Sequence, residues 1–189
     1  MVFQTLIHYY PFQCKLLSAL MPLPILDAIE QRRSIREFTD QTVGIALLHE
    51  IIQAGVWAPS GLNNQPWRFV IVTDATIRAR LAEQTHYGHI VLGAPALIGV
   101  YLEKEAMYDA LKDAQSAGAC IQNMLLAAEA LGLGAVWLGQ ILKNKETVGR
   151  ILELSENLDL MAVIALGHPS RRDQQSHRKP LAEFIVKEL

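Results

Sequence analysis

From Pro24 to Arg33 the apolar residues Ile25, Leu26, Ala28 and Ile29 recur at helical spacing, which predicts a helix ending in the polar run Arg32-Arg33-Ser34. A second helix is predicted from Thr42, a residue able to cap its start, to about Trp57. Its stripe is Leu47, Leu48, Ile51, Ile52 and Val56, and Ala58-Pro59-Ser60-Gly61 breaks it. The polar loop Asn63-Asn64-Gln65-Pro66 follows at once. Trp67 to Thr73 and Ala96 to Leu102 are β-branched and aromatic runs of strand length, expected to be neighbours in one sheet.

A long helix is predicted from about Tyr108 to Leu131, with Leu111, Ala114, Gly118, Ile121, Leu125, Ala128 and Leu131 at three- and four-residue steps. Because it is apolar over most of its circumference, it is expected to be buried almost all round. Gly132 suits a left-handed C-terminal cap, a conformation that only glycine adopts cheaply. Beyond it, Ala135 to Leu138 predicts a brief strand, Lys145 to Leu154 a helix and Met161 to Leu166 a core strand ending in Gly167-His168-Pro169. Phe184-Ile185-Val186 has the composition of an edge strand. Helices separated by single strands, without regular strand-helix-strand alternation, predict an α+β fold rather than a doubly wound sheet.

Length and composition narrow this picture. A chain of 189 residues with 51% hydrophobic content suits one domain with a substantial core. Its formal net charge of −2 and scattered basic residues create no broad field for nucleic acid or an anionic membrane, so any anion must be bound locally. Cys14 and Cys120 stand far apart, without paired ligands at zinc spacing, so neither a disulfide framework nor a metal site is expected and a reducing, cytoplasmic setting is the default. The apolar run from Val2 to Leu20 is broken by Gln4, His8, Pro11, Gln13 and Lys15, too interrupted to span a bilayer and unlike a secretory signal. Met21 stands where helix patterning begins. Residues 1 to 20 are therefore read as an extension of uncertain role, and residues 21 to 189 as the domain.

Four segments carry candidate chemistry. Arg32-Arg33-Ser34-Ile35-Arg36-Glu37-Phe38 gathers three guanidinium groups and a hydroxyl, a match for phosphate oxygens or else a solvated helix end. Ser60-Gly61-Leu62-Asn63-Asn64-Gln65, held between Pro59 and Pro66, offers amides suited to the edge of a neutral heterocycle, or is an ordinary turn. Gly132-Leu133-Gly134-Ala135-Val136-Trp137-Leu138-Gly139 is superficially like a dinucleotide fingerprint. It leaves a helix to enter a strand, however, the reverse of what a pyrophosphate needs. Gly139 could instead let backbone approach a flat ligand, or serve as a tight turn. Arg171, Arg172, Arg178 and Lys179 form a basic tail, solvated unless it joins the first cluster.

Other signals exclude function classes. His86 and His89 lack a third ligand nearby, and there is no Gly-x-Ser-x-Gly elbow, phosphate-binding P-loop or helical His-Glu-x-x-His. Trp57, Trp67 and Trp137 are expected in a core or an interface.

In this order, the four segments resemble the nitroreductase family: an Arg-Arg-Ser-x-Arg-x-Phe run, a Pro-Ser-x-x-Asn-x-Gln-Pro-Trp-x-Phe loop, a long helix leading to Gly-x-Gly-x-x-Trp-x-Gly, and a Gly-x-Pro turn before a basic tail. The resemblance runs from about Ile25 to the C-terminus. It implies an α+β fold with a mostly antiparallel sheet flanked by helices, in an intertwined homodimer with FMN at the subunit interface. It further implies that Arg32, Arg33 and Ser34 reach the FMN phosphate and ribityl end, with Arg36 nearby and Arg178 closing the site from the tail, where Arg171, Arg172 and Lys179 compete. Ser60, Asn63 and Gln65 would lie along the flavin, the serine loop serving the site of the partner subunit, and Leu138 and Gly139 would present backbone to the ring.

The activity so implied is reduction of an electron-poor small molecule, such as a nitroaromatic or quinone, with NADH or NADPH as donor in a ping-pong scheme. The flavin carries the chemistry, so no catalytic acid-base residue is expected. Alternatives are another reaction of the same fold, such as dehalogenation or flavin fragmentation, and a flavin-binding sensor or store without turnover. The stretch between the second strand and the central helix is short, which leaves the acceptor poorly constrained.

Overall fold

The computed structural model describes residues 25–189 of the chain. Cys14 and the extension read over residues 1 to 20 lie outside the described residues. Four antiparallel strands form one sheet: β1 (Trp67–Val72), β2 (Ala96–Glu103), β3 (Gly134–Leu138) and β4 (Leu158–Gly167), in the order β1-β2-β4-β3. The pairing of Trp67 with Leu102 through Val72 with Leu97 makes β1 and β2 the neighbours expected from their composition. The central pair, β2 and β4, carries a bulge: Val100 faces Ala162 while Tyr101 faces Leu160, leaving Met161 as the extra residue.

The period of two along each strand divides the core between the two faces. On one face Ile98, Val100, Leu102, Ala162 and Ile164 pack beneath helices α2 (Ile45–Val56) and α5 (Ala110–Ala130). On the other, Leu97, Tyr101, Val163, Val136 and Leu138 meet α3 (Ala75–Ala82), α4 (Gly88–Gly93) and α6 (Lys145–Ile151). A short first helix, α1 (Ile25–Gln31), precedes them and buries only Ala28. At Gly55 a Cβ would stand 2.7 Å from a side-chain carbon of Met124, so the missing side chain is what lets α2 lie this close to α5.

The α+β architecture, the antiparallel sheet and the long central helix are as the sequence predicts. Gly132 has φ of +75°, in the left-handed conformation expected of it. Four readings need correction. Thr42 does not cap the second helix: Leu47 and Leu48 donate to the Gly44 carbonyl, so the helix starts beyond Thr42's reach. Phe184-Ile185-Val186 is exposed and follows a 3-10 turn at Leu181–Glu183, having no ladder partner within the described chain. Third, α5 is not buried all round. Its inner stripe is Asp113, Ala117, Cys120, Ile121, Met124 and Ala128, while Leu111 is 70% exposed, because the sheet and α2 cover one side only. Finally, α3 and α4 occupy a stretch where no helix is predicted from the sequence.

Candidate active site

The chain leaving α1 is fixed beside strand β3. Ser34 bridges Ala135 in parallel, the Ile35 amide donates to the Ala135 carbonyl at 3.1 Å, and the Thr39 amide donates to the His168 carbonyl at 2.9 Å. Ile35 is buried against Gly134, where a Cβ would come within 2.7 Å of its side chain. This clamp holds Arg32, Arg33, Ser34 and Arg36 at one edge of the sheet. Across from them the tail brings Gln174, Gln175, Ser176 and Arg178, and the two segments line a cleft of about 480 Å³.

The cleft concentrates positive charge without neutralising it. Among the described residues Arg32, Arg33, Arg36 and Arg178 form no ion pair with a carboxylate. Arg33 donates to the Glu30 carbonyl at 2.5 Å and to the Arg32 carbonyl at 2.9 Å, Arg36 to the Ser34 carbonyl at 3.3 Å, and Arg178 to the His177 carbonyl at 3.0 Å and the Ser176 hydroxyl. The Nε atoms of Arg32 and Arg33 are buried with no acceptor. Burial first, then the charges of Arg178 and Arg33, push the Arg32 guanidinium below its ordinary pKa, with Glu129 acting against them. Buried donors without acceptors and like charges without counterions suit a phosphate, which supplies both. The residues present therefore fit the phosphate end of FMN.

The tail cations separate by partner. Arg171 pairs with Glu37 at 2.9 Å, Arg172 with Glu129 at 2.5 Å and Lys179 with Glu183 at 3.1 Å. Arg178 alone of the four lines the cleft and lacks a carboxylate partner among the described residues.

From Ala135, beside Ser34, β3 runs to Leu138 and Gly139. Gly139 lies four residues on, about 13 Å at the ordinary strand rise. Leu138 is buried, while Gly139 is exposed, with nothing within 4 Å of where its Cβ would stand. The strand edge thus leads from the arginines to an open turn. The turn is braced from the other side: the Gln140 Oε1 accepts from the Thr85 hydroxyl at 2.6 Å and the His86 amide at 2.9 Å.

Ser60, Asn63 and Gln65 are gathered elsewhere. Their loop follows α2, and Leu62, Asn63 and Gln65 all have positive φ (54°, 56° and 45°), an unfavourable conformation for residues with a Cβ. The Gln65 amide donates to the Ser60 hydroxyl at 3.1 Å, which closes the loop on itself. Asn64 anchors it, donating to the Ala106 carbonyl at 3.0 Å and to Asp113 Oδ1 at 2.7 Å. Asp113 is fully buried and also accepts from the Tyr108 and Asp109 amides, both at 2.9 Å. Burial alone would raise its pKa, but the bonds from Asn64, Asp109 and Tyr108 and the nearby Lys112 outweigh that and hold it below the ordinary carboxylate value.

Within one chain these two groups stand at opposite ends of α5. The loop is tied to Asp113, whereas the tail beside the cleft is tied to Glu129. Sixteen residues of helix separate the two anchors, about 24 Å.

The sequence points to the arginine run, the tail and the strand edge, and the structure brings the first two together at the third; the sequence does not single out Asn64 or Asp113 as anchors, or the Arg172–Glu129 pair. A carboxylate on the stripe that later carries Ala117, Met124 and Ala128 was the one available signal for Asp113. Of the tryptophans, Trp67 is in the core, while Trp57 is 80% exposed on the single chain and Trp137 is partly exposed.

The sequence profile of the nitroreductase family matches residues 29–91 and 82–168. The chain superposes with a TM-score of 0.84 on a protein from Desulfovibrio desulfuricans assigned as a nitroreductase and crystallised with FMN; the two are 50% identical, over 89% of this chain and 99% of that one. It superposes with a TM-score of 0.78 on the NADPH:FMN oxidoreductase of Vibrio harveyi complexed with NAD+, at 28% identity over 87% of this chain and 77% of that one. An NADH dehydrogenase of Thermus thermophilus is 32% identical over 87% of this chain and 97% of its own length. On the family profile and these likenesses together, the chain belongs to the nitroreductase family.

Proposed function

We propose that this protein is an FMN-dependent oxidoreductase that moves electrons from NADH or NADPH to an electron-poor small molecule, a nitroaromatic, quinone or similar compound. The observation that carries the reading is the arginine cleft, where four guanidinium groups without a carboxylate partner and two buried donors without an acceptor, among the described residues, lie beside an open strand edge. Arg32, Arg33, Ser34 and Arg178 hold the phosphate in this scheme, with Arg36 at the rim. Leu138 and Gly139 offer backbone to the ring, about 13 Å along the strand. Bound FMN would supply the redox chemistry, with donor and acceptor using one place in turn. The FMN-bound relative and the NAD+-bound relative support this assignment of cofactor and donor.

The separation of the amide loop from the arginine cleft supports a homodimer. Ser60, Asn63 and Gln65 line no part of the arginine cleft of their own chain, and in this reading they serve the partner subunit's site. The exposure of Trp57, Leu62 and Leu111 near that loop supplies apolar surface for the contact. Residues 21 to 189 act as one FMN-binding domain, in a cytoplasmic setting. None of the helices among the described residues is long and apolar enough to cross a membrane.

The test is an absorbance spectrum of purified protein before and after anaerobic NADH or NADPH. A flavin band that bleaches with the donor and returns with a quinone is the expected outcome. A bound flavin that NADH and NADPH leave oxidised would mark a binding protein without turnover. Protein that stays colourless after incubation with FMN would overturn the cofactor assignment.

A further inference from the structure

Directly behind the arginine cleft lies a carboxylate that ought to spoil it. Glu129, in the last turn of α5, has a side chain only 10% exposed and shares a small hollow with Gln31, Arg33, Ile35, Arg172 and Gln174. Arg33 and Gln174 line both this hollow and the cleft, so one layer of side chains separates the carboxylate from the place for an anion. A nearly buried negative charge at this range competes with a phosphate for the same guanidinium groups. Arg172 answers it: one nitrogen contacts Glu129 Oε1 at 2.5 Å and another donates to the Leu133 carbonyl at 3.1 Å.

Resting on the proposed FMN site, we infer that Arg172 is a positioning residue that acts through Glu129. It occupies the carboxylate so that Arg32 and Arg33 remain available to the phosphate, and it does not bind the phosphate itself. The tail then has two separate electrostatic tasks. Arg178 enters the cleft, and Arg172, six residues earlier, neutralises the charge behind it. Glu129 acts on Arg32 in the sense opposite to Arg178 and Arg33, in keeping with the shared lining of hollow and cleft.

The alternative is mechanical: the pair could simply clip the tail to α5 and thereby deliver Arg178. The two readings differ in what the second mutation does. FMN affinity is measured by quenching of flavin fluorescence on titration into full-length apoprotein, at low and high salt. Arg172→Ala is expected to weaken FMN about fivefold to tenfold at low salt, and less at high salt, because the freed carboxylate is screened. Glu129→Gln is expected to bind as well as wild type or better. The double variant Glu129→Gln/Arg172→Ala should recover to within about twofold of wild type, as should Arg172→Lys, which keeps the charge.

If Glu129→Gln weakens binding as much as Arg172→Ala, or the double variant does not recover, the pair is a clip and the inference fails. Wild-type binding that Arg172→Ala leaves unchanged also overturns it, alone. Absence of FMN binding by wild type overturns the proposed function together with it.

Discussion

The arginine cleft and the amide loop each gather polar side chains that the proposed function assigns to FMN, yet they are built on opposite terms. The cleft joins residues 32–36 to residues 174–178 and, among the described residues, leaves its guanidinium groups without counterions and two buried nitrogens without acceptors. The loop is local, closing between Ser60 and Gln65, and the carboxylate that ties it down accepts three hydrogen bonds: Asp113 takes them from Asn64, Tyr108 and Asp109, although Asn64 Oδ1 is buried without a partner among the described residues. The cleft thus leaves its electrostatic demand for the ligand to meet. The loop's charge, on Asp113, is met within the chain, and the loop holds three side-chain-bearing residues in a left-handed conformation. Mutations in the first should therefore be read out in FMN affinity, and mutations at the anchor of the second in stability of the protein itself.

The strongest way to break that contrast is Asp113→Ala. It removes the acceptor of the Tyr108 and Asp109 amides and leaves the Asn64 amide nitrogen with the Ala106 carbonyl alone, which is expected to cost about 3–5 kcal/mol of folding free energy. Chemical denaturation of apoprotein would show it, and a loss below about 1 kcal/mol would mean that the loop is not held from this residue. The same carboxylate sets a pH dependence. Its pKa is lowered in the fold, so its stabilisation is complete above the unfolded value of about 4 and lost as pH falls through the folded one. Asp113→Asn should lack that acid-side decline.

Next in size is Arg32→Ala, the counterpart in the cleft. Loss of a charge-assisted phosphate contact should weaken FMN by about 1.5–3 kcal/mol. Apoprotein stability should fall little or even rise, since like-charge repulsion with Arg33 and Arg178 is relieved. Undiminished FMN affinity would remove Arg32 from the site. Smaller again is the difference between adjacent tail cations. Arg178→Ala is expected to cost roughly 1–2 kcal/mol in FMN binding, whereas Lys179→Ala, whose ion pair with Glu183 is exposed, should change it by less than about 0.5 kcal/mol. Equal effects would mean that the tail acts only as a diffuse field.

The contrast also explains what could be read from the chain beforehand. The β-branched runs of β1, β2 and β4 and the three-to-four spacing of α5 each match the element they form, so propensity and burial agree. The helices α3 and α4 escaped notice because α3 has little one-sidedness, burying only Leu81 and Ala82, and α4 is six residues long. Phe184-Ile185-Val186 misled for the opposite reason: strand propensity is local, but a strand needs a neighbour. The arginine run was legible since three guanidinium groups fall within five residues. What each tail cation touches was not, because the Arg172–Glu129 contact joins residues 43 apart in sequence. The buried role of Asp113 depends on which side of α5 the sheet covers, and small residues around that helix leave its phase open.

The smallest effect tests whether an orphaned donor marks a ligand at all. On the far face of the sheet Tyr101 is 1% exposed, and its hydroxyl is buried with no hydrogen-bond partner, as are the two arginine nitrogens. Tyr101 belongs to the apolar cluster that includes Val72, Leu81, Ile90 and Leu160. Removing that hydroxyl should therefore be neutral or stabilising by up to about 1 kcal/mol, because nothing is left unpaired. Burial pushes the phenol from 10.0 up to about 12, so the fold keeps a proton that the unfolded chain releases. Wild type should lose stability as pH rises through that interval, and Tyr101→Phe should lose less. Cys120, also raised to about 12 by burial, contributes its own alkaline loss to both proteins and cancels in the difference. If Tyr101→Phe destabilises by more than about 1 kcal/mol, the hydroxyl has a partner in solution. An orphan atom at the cleft would then need the affinity measurement, and not its burial, to be assigned to a ligand.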